Sequence, residues 1–151
     1  MQFSVFDWRK REVVFVVVVV IVVFAISFWQ VKIGEMKTRD AQRKSDAVLV
    51  GRALDNYFGD HGIYPAAKDG KIAACGNKGQ EVCEWGGGPV RDKEGVVYLR
   101  KIPRDPLGRN YVYETNEART GFRIYVTLEY SGDLTKACGK NVQCKWYVEN
   151  F

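Results

Sequence analysis

The stretch RKREVVFVVVVVIVVFAISFW, residues 9–29, decides how the chain is read. Three cations and one carboxylate precede an apolar run that carries no charge on any face. At 1.5 Å per residue, about 17 to 19 helical residues cross the roughly 30 Å hydrocarbon core of a bilayer. Valine dominates the run, and in water its β-branch favours strands. In lipid a lone segment must satisfy its own backbone hydrogen bonds, which only a helix does. A cleavable secretory signal is the rival reading, with residues 13–24 as its apolar region and Ala25-Ile26-Ser27 as a small-x-small site. Under both readings Arg9, Lys10 and Arg11 keep the N-terminal flank in the cytoplasm and the remainder lies outside. Trp8 and Trp29 fall where interfacial aromatics are expected.

The chain has 151 residues. One anchor leaves roughly 120 residues, enough for a single compact domain. The mean hydropathy, -0.25, fits a polar domain diluted by one span. The formal charge is +5. Lys32, Lys37, Arg39, Arg43, Lys44 and Arg52 outnumber Glu35, Asp40 and Asp46 just past the span, which suits contact with anionic lipid headgroups. No compact basic and aromatic motif points to specific nucleic-acid binding, and no small-molecule substrate is evident.

Cys75, Cys83, Cys138 and Cys144 all lie on the side of the span assigned to an oxidising compartment. Four cysteines allow three pairings, and the short loops Cys75 with Cys83 and Cys138 with Cys144 are preferred. Zinc fits poorly, because neither pair has the usual ligand spacing and the lone His61 sits apart.

No proline or strong turn signal interrupts residues 29–58, so one helix of about 50 residues is expected. Residues 32–46 are polar almost all round, as for a stalk facing water, with Glu35 and Arg39 spaced for a weak ion pair. From Ala47 the pattern changes: Ala47, Val50, Leu54, Tyr57 and Phe58 recur every three or four residues and form an apolar stripe. Gly59-Asp60-His61-Gly62 stops the helix. Residues 63–95 read as loop. The run Gly86-Gly87-Gly88-Pro89 lacks the flanking strand, lysine and hydroxyl of a phosphate cradle. Residues 96–103 are short and apolar, and Arg104-Asp105-Pro106-Leu107-Gly108 is a turn. Tyr111-Val112-Tyr113 reads as a strand. In residues 122–129, Phe122, Ile124, Val126 and Leu128 alternate with Arg123, Tyr125, Thr127 and Glu129, the period of a sheet wet on one face. Lys145-Trp146-Tyr147-Val148 closes the set. The fold class is therefore α+β: a long N-terminal helix, half membrane anchor and half amphipathic, packed on a small antiparallel β-sheet. The expected parts are a basic flank (1–12), a span (13–31), a helical spine (32–58) and an extracytoplasmic domain (59–151).

In this order and spacing, Arg39-Asp40-Ala41-Gln42-Arg43-Lys44-Ser45-Asp46, Ala53-Leu54-Asp55-Asn56-Tyr57, Gly62-Ile63-Tyr64-Pro65 and Ile102-Pro103-Arg104-Asp105-Pro106-Leu107-Gly108-Arg109-Asn110-Tyr111-Val112-Tyr113 closely resemble the type IV pilin and type II secretion pseudopilin family, especially the major pseudopilin. The resemblance implies a pilin-like fold, with Tyr64, Pro65, Asp105, Pro106 and Gly108 in the family's turns. It also implies assembly of subunits through their apolar helices. At the family's spacing its processing glutamate falls on Glu12, its glycine on Asp7 and its phenylalanine on Trp8. Only the glutamate and an aromatic survive, and Arg9-Lys10-Arg11 replace apolar residues. The family's late acidic loop often holds Ca²⁺, but here Asp133 stands almost alone.

Two functions compete. One is a structural subunit of a type IV pilus or type II secretion pseudopilus, anchored in the inner membrane. The alternative is an uncleaved, membrane-tethered extracytoplasmic binding protein with a pilin-like fold. An enzyme is the weakest reading: no nucleophile motif or paired carboxylates accompany His61. No catalytic, cofactor or metal residue is assigned.

Overall fold

The computed structural model describes residues 10–109, 111–130 and 146–150. They fall into two compact units divided between Met36 and Lys37. Helix α1 spans Lys10–His61. In the first unit it is an apolar helix long enough to cross a membrane, with none of its apolar stretch buried.

In the second unit the same helix supplies Ala47, Val50 and Leu54 to the core. The strands are β1 (Ala66–Lys68), β2 (Lys71–Cys75), β3 (Glu81–Val82), β4 (Val90–Arg91), β5 (Val97–Leu99), β6 (Val112–Thr115), β7 (Phe122–Val126) and β8 (Trp146–Asn150). They make antiparallel sheets ordered β1-β2-β3, β4-β5 and β6-β7-β8. The Tyr113 amide donates to the Gly70 carbonyl at 2.8 Å and links the first sheet to the third. Phe122, Ile124 and Val126 of β7 face the stripe on α1, as their alternation predicts. Gly51 allows the close approach: a Cβ there would lie 3.3 Å from Val148 Cγ1 and 3.4 Å from the Phe122 ring.

Several local expectations are corrected. The helix runs past Phe58 to His61, and Gly62, at φ 68°, ends it while its amide donates to the Phe58 carbonyl. The left-handed conformation suits glycine because it has no Cβ to clash. Residues 63–95 are not all loop but hold β1 to β4. Their hairpin turn is Asp69-Gly70, both at positive φ, with Lys68 paired to Lys71. Asp-Gly is favoured in two-residue hairpins because both central residues need φ > 0. Strand β7 stops at Val126, and Tyr125, placed by alternation on the wet face, is buried. Its hydroxyl donates to Glu114 at 3.0 Å and its ring meets Tyr147 edge-on, so β8 and β6 side chains cover that face.

Residues 32–46 are not polar stalk throughout. Asp40 and Arg43 are buried, at 3% and 0% exposure. Glu35 pairs with Lys32 at 3.6 Å, while Arg39 pairs with Glu129.

Candidate functional site

The charged half of the stripe explains how the helix is fastened. Positions 40, 43, 47, 50 and 54 recur at helical spacing, so Asp40 and Arg43 continue the line of Ala47, Val50 and Leu54. They face two chain segments that the sequence separates widely.

One is the turn after β5. Asp105, 3% exposed, accepts from Arg43 Nε at one oxygen and from Arg43 Nη2 at 3.4 Å at the other. That second oxygen also accepts from the amides of Leu107 (2.8 Å) and Arg109 (3.1 Å), and the Gly108 amide donates to the Asp105 carbonyl at 3.0 Å. Gly108 sits at φ 73°. The aspartate therefore shapes its own turn and binds it to α1 together.

The other is the chain just after β7. The amides of Glu129 and Tyr130 donate to the Asp40 carboxylate at 2.8 to 3.1 Å. The Glu129 carboxylate takes a two-pronged contact from Arg39, at 3.0 and 2.6 Å, and lies 2.6 Å from Arg43 Nη1. Arg43 Nη1 also reaches Asp40 at 2.7 Å. A fully buried guanidinium is thus shared by three carboxylates. Such an ion is tolerated only when nearly every donor is used.

The electrostatics follow. Burial opposes the charge on Arg43, but hydrogen bonds to Asp105, Glu129 and Asp40 overcome it and raise its pKa. The Arg39 contact is the largest influence holding Glu129 down, to about 2, with Arg43 adding to it. Burial would raise Asp105, yet the bonds from Arg43 and the two amides leave it lowered. Asp46, outside this knot, is raised by burial even though Tyr111 donates to it at 3.1 Å.

At the C-terminal end of α1, Asp92 is 2% exposed and accepts from the amides of Glu94 and Val96, both at 2.9 Å, and from Tyr98 at 3.1 Å. Those bonds lower its pKa against the opposing effect of burial. The Tyr98 hydroxyl also lies 2.8 Å from Asp60, so its single proton is shared between the two carboxylates and fastens β5 to the end of α1.

The residues singled out by sequence are dispersed. Cys75 and Cys83 form a disulfide joining β2 to the residue after β3. Tyr64 is buried and donates to Asp55 at 2.9 Å, and Pro65 accepts from Tyr113 at 2.8 Å. Burial and the Asp55 contact push Tyr64 up to about 12. Pro106 and Gly108 are exposed in the Asp105 turn, and Glu12 is exposed in the first turn of α1. Trp8, Asp133, Cys138 and Cys144 lie outside the described residues, so the second proposed disulfide does too. Among the described residues no group of three His, Cys, Asp or Glu side chains could hold a metal. The sequence does not mark Arg43 and Glu129 as site residues; its one signal for Arg43 is the helical spacing from Asp40 to Leu54.

A long helix that leaves an apolar unit and becomes the spine of a small antiparallel domain, pinned there by a buried arginine, defines a pilin-like α+β protein. Residues 32–129 match the family model described as "Type II secretion system (T2SS), protein G", and the chain belongs to that family. No curated protein and no solved structure matches it. As a pseudopilin it is a structural subunit of the pseudopilus, assembling with other pilin-like subunits, and not an enzyme.

Proposed function

We propose that residues 13–31 hold the protein in the inner membrane, with the N-terminal flank in the cytoplasm and the second unit outside. In this reading residues 32–58 form the helical spine of the part that begins at residue 59. Subunits, of this chain or of related pilin-like chains, join by lateral packing of the apolar helices. The observation that carries this reading is exposure: Phe15, Phe24, Phe28 and Trp29 are 67 to 72% exposed, and the valines between them 39 to 56%. Water does not tolerate so large an apolar surface, whereas lipid or neighbouring helices do. The three cations before Glu12 set the orientation.

Those same cations favour a second reading for the N-terminus, in which it stays unprocessed and the protein remains tethered. Glu12 then acts as a carboxylate at the helix start, where the dipole favours it.

Carbonate extraction, protease digestion of spheroplasts and intact mass together test this. Retention in the membrane with digestion of the second unit from outside is the expected result; release by carbonate, or protection of that unit, contradicts anchoring in this orientation. A mass that includes Met1 selects the unprocessed reading, and a shortened one selects processing.

A further inference from the structure

Two of the cations that the sequence assigns to lipid contact are taken up inside the fold. Arg39 and Arg43 are consumed by Glu129, Asp40 and Asp105. Lys37 lies 4.6 Å above the Tyr130 ring and Lys44 6.0 Å above that of Trp146. In their place Arg100, Lys101, Arg104 and Arg109 are all exposed on one short segment, and none forms an ion pair with any described residue. The segment's lone carboxylate, Asp105, is buried beneath them on Arg43. Between Arg104 and Arg109, Leu107 is 54% exposed.

We propose that the segment 100–109 is a docking surface for anionic phospholipid headgroups of the membrane that holds the chain. Three observations support this occupant. Four cations without an exposed acid among them match a surface of phosphates, and guanidinium groups bind phosphate in a fork. Leu107 supplies an apolar tip that enters the headgroup layer while the cations stay at its polar level. Asp105 and the turn amides fix the loop beforehand, so little ordering entropy opposes binding.

The surface also has a short tether. Residues 32–39 alone separate the apolar run from Asp40, and even fully extended they reach roughly 30 Å. Tethering makes a weak electrostatic contact effectively intramolecular. The inference rests on the membrane-anchored reading above and adds a second, charge-dependent contact to it.

The test uses the full chain reconstituted at low density in liposomes of phosphatidylcholine alone or with phosphatidylglycerol, followed by amine acetylation read by mass spectrometry. Lys78, exposed in the Cys75–Cys83 loop, is the internal reference. Lys101 is expected to be acetylated several-fold more slowly, relative to Lys78, only in the anionic liposomes. The protection is expected to vanish in high salt and in the Arg100→Gln, Arg104→Gln, Arg109→Gln triple variant. Equal Lys101 rates in both lipids overturn the proposal, as does protection that depends on protein density instead of lipid charge, which assigns the segment to a subunit contact. Flotation separates the two readings: protein that does not float with the liposomes overturns anchoring itself, whereas protein that floats with Lys101 unprotected overturns only the headgroup contact.

Discussion

Arg43 and Asp105 stand 62 residues apart and meet inside the second unit, the guanidinium fully buried and the carboxylate shaping the turn that holds it. This one contact binds a helical segment to a distant loop, and Asp40 and Glu129 bind the end of the β7 segment to the same cation. Replacing Arg43 with Met leaves three carboxylates around an apolar side chain. Glu129 keeps Arg39, so the loss is set mostly by Asp40 and Asp105, which are left without a cation, and is about 3–5 kcal/mol. Arg43→Lys keeps the charge but not the fork, so it falls between the two. Urea unfolding of the full chain in detergent measures both; an Arg43→Met variant within about 1 kcal/mol of the parent contradicts the role given to the network.

The same network sets an acid limit. Glu129 titrates at about 2 in the fold against an ordinary 4.5, and Asp105 is also lowered. A carboxyl depressed by folding stabilises the fold fully above its unfolded pKa, and that contribution disappears as pH falls through the folded one. The contribution of Glu129 and Asp105 is therefore expected to be level above about pH 5 and to decline toward pH 2, while Asp46, raised by burial, works in the opposite direction as it protonates. Glu129→Gln lowers stability at neutral pH and flattens the slope. Unfolding midpoints measured from pH 2 to 7 give the comparison, and an unchanged slope in the variant rules Glu129 out as its source.

The architecture was legible where one physical demand acts along the chain. Burial writes the period of Ala47, Val50 and Leu54 and that of Phe122, Ile124 and Val126, while bilayer thickness sets the length of the apolar run. Its limits show at Arg43. A buried arginine and an exposed one look alike in sequence, because the difference lies in carboxylates supplied from residues 105 and 129. The strands of residues 66–91 leave little trace in the sequence for a different reason. They are two to five residues long, too short for periodicity to register, although Asp69-Gly70 carried the hairpin signal.

Gly51 offers a test of helix-to-sheet packing. With Val148 and Phe122 at 3.3 and 3.4 Å from the missing Cβ, alanine is tight, and its better helix propensity, worth up to about 1 kcal/mol, offsets the strain. Leucine has nowhere to go and is expected to cost about 1–3 kcal/mol or to displace β8. Gly59 is the contrast: it is helical with nothing within 4 Å of its Cβ position, so Gly59→Ala is expected to stabilise by about 0.5–1 kcal/mol. If Gly51→Leu and Gly59→Ala shift the unfolding midpoint alike, the close approach at Gly51 is not what limits the first.

The Cys75–Cys83 bridge closes a short loop, with a sequence separation of 8. Both cysteines are buried, at 7% and 3% exposure, within the core cluster that contains Ile72 and Val90. Loop-closure entropy for so small a ring is worth about 2–3 kcal/mol. The double Cys75→Ala, Cys83→Ala variant is therefore expected to lose about that much and still fold, because Ile72, Ala74 and Val90 remain packed. Burial also protects the bond: in the native protein mild reductant is expected to act slowly until urea opens the domain. Thiol alkylation with mass mapping, at low urea and across the unfolding transition, follows Cys75 and Cys83 individually. Rapid labelling of both in the folded protein contradicts their place in the core, and a stability loss well above about 4 kcal/mol points to packing instead of ring closure as the bridge's main contribution.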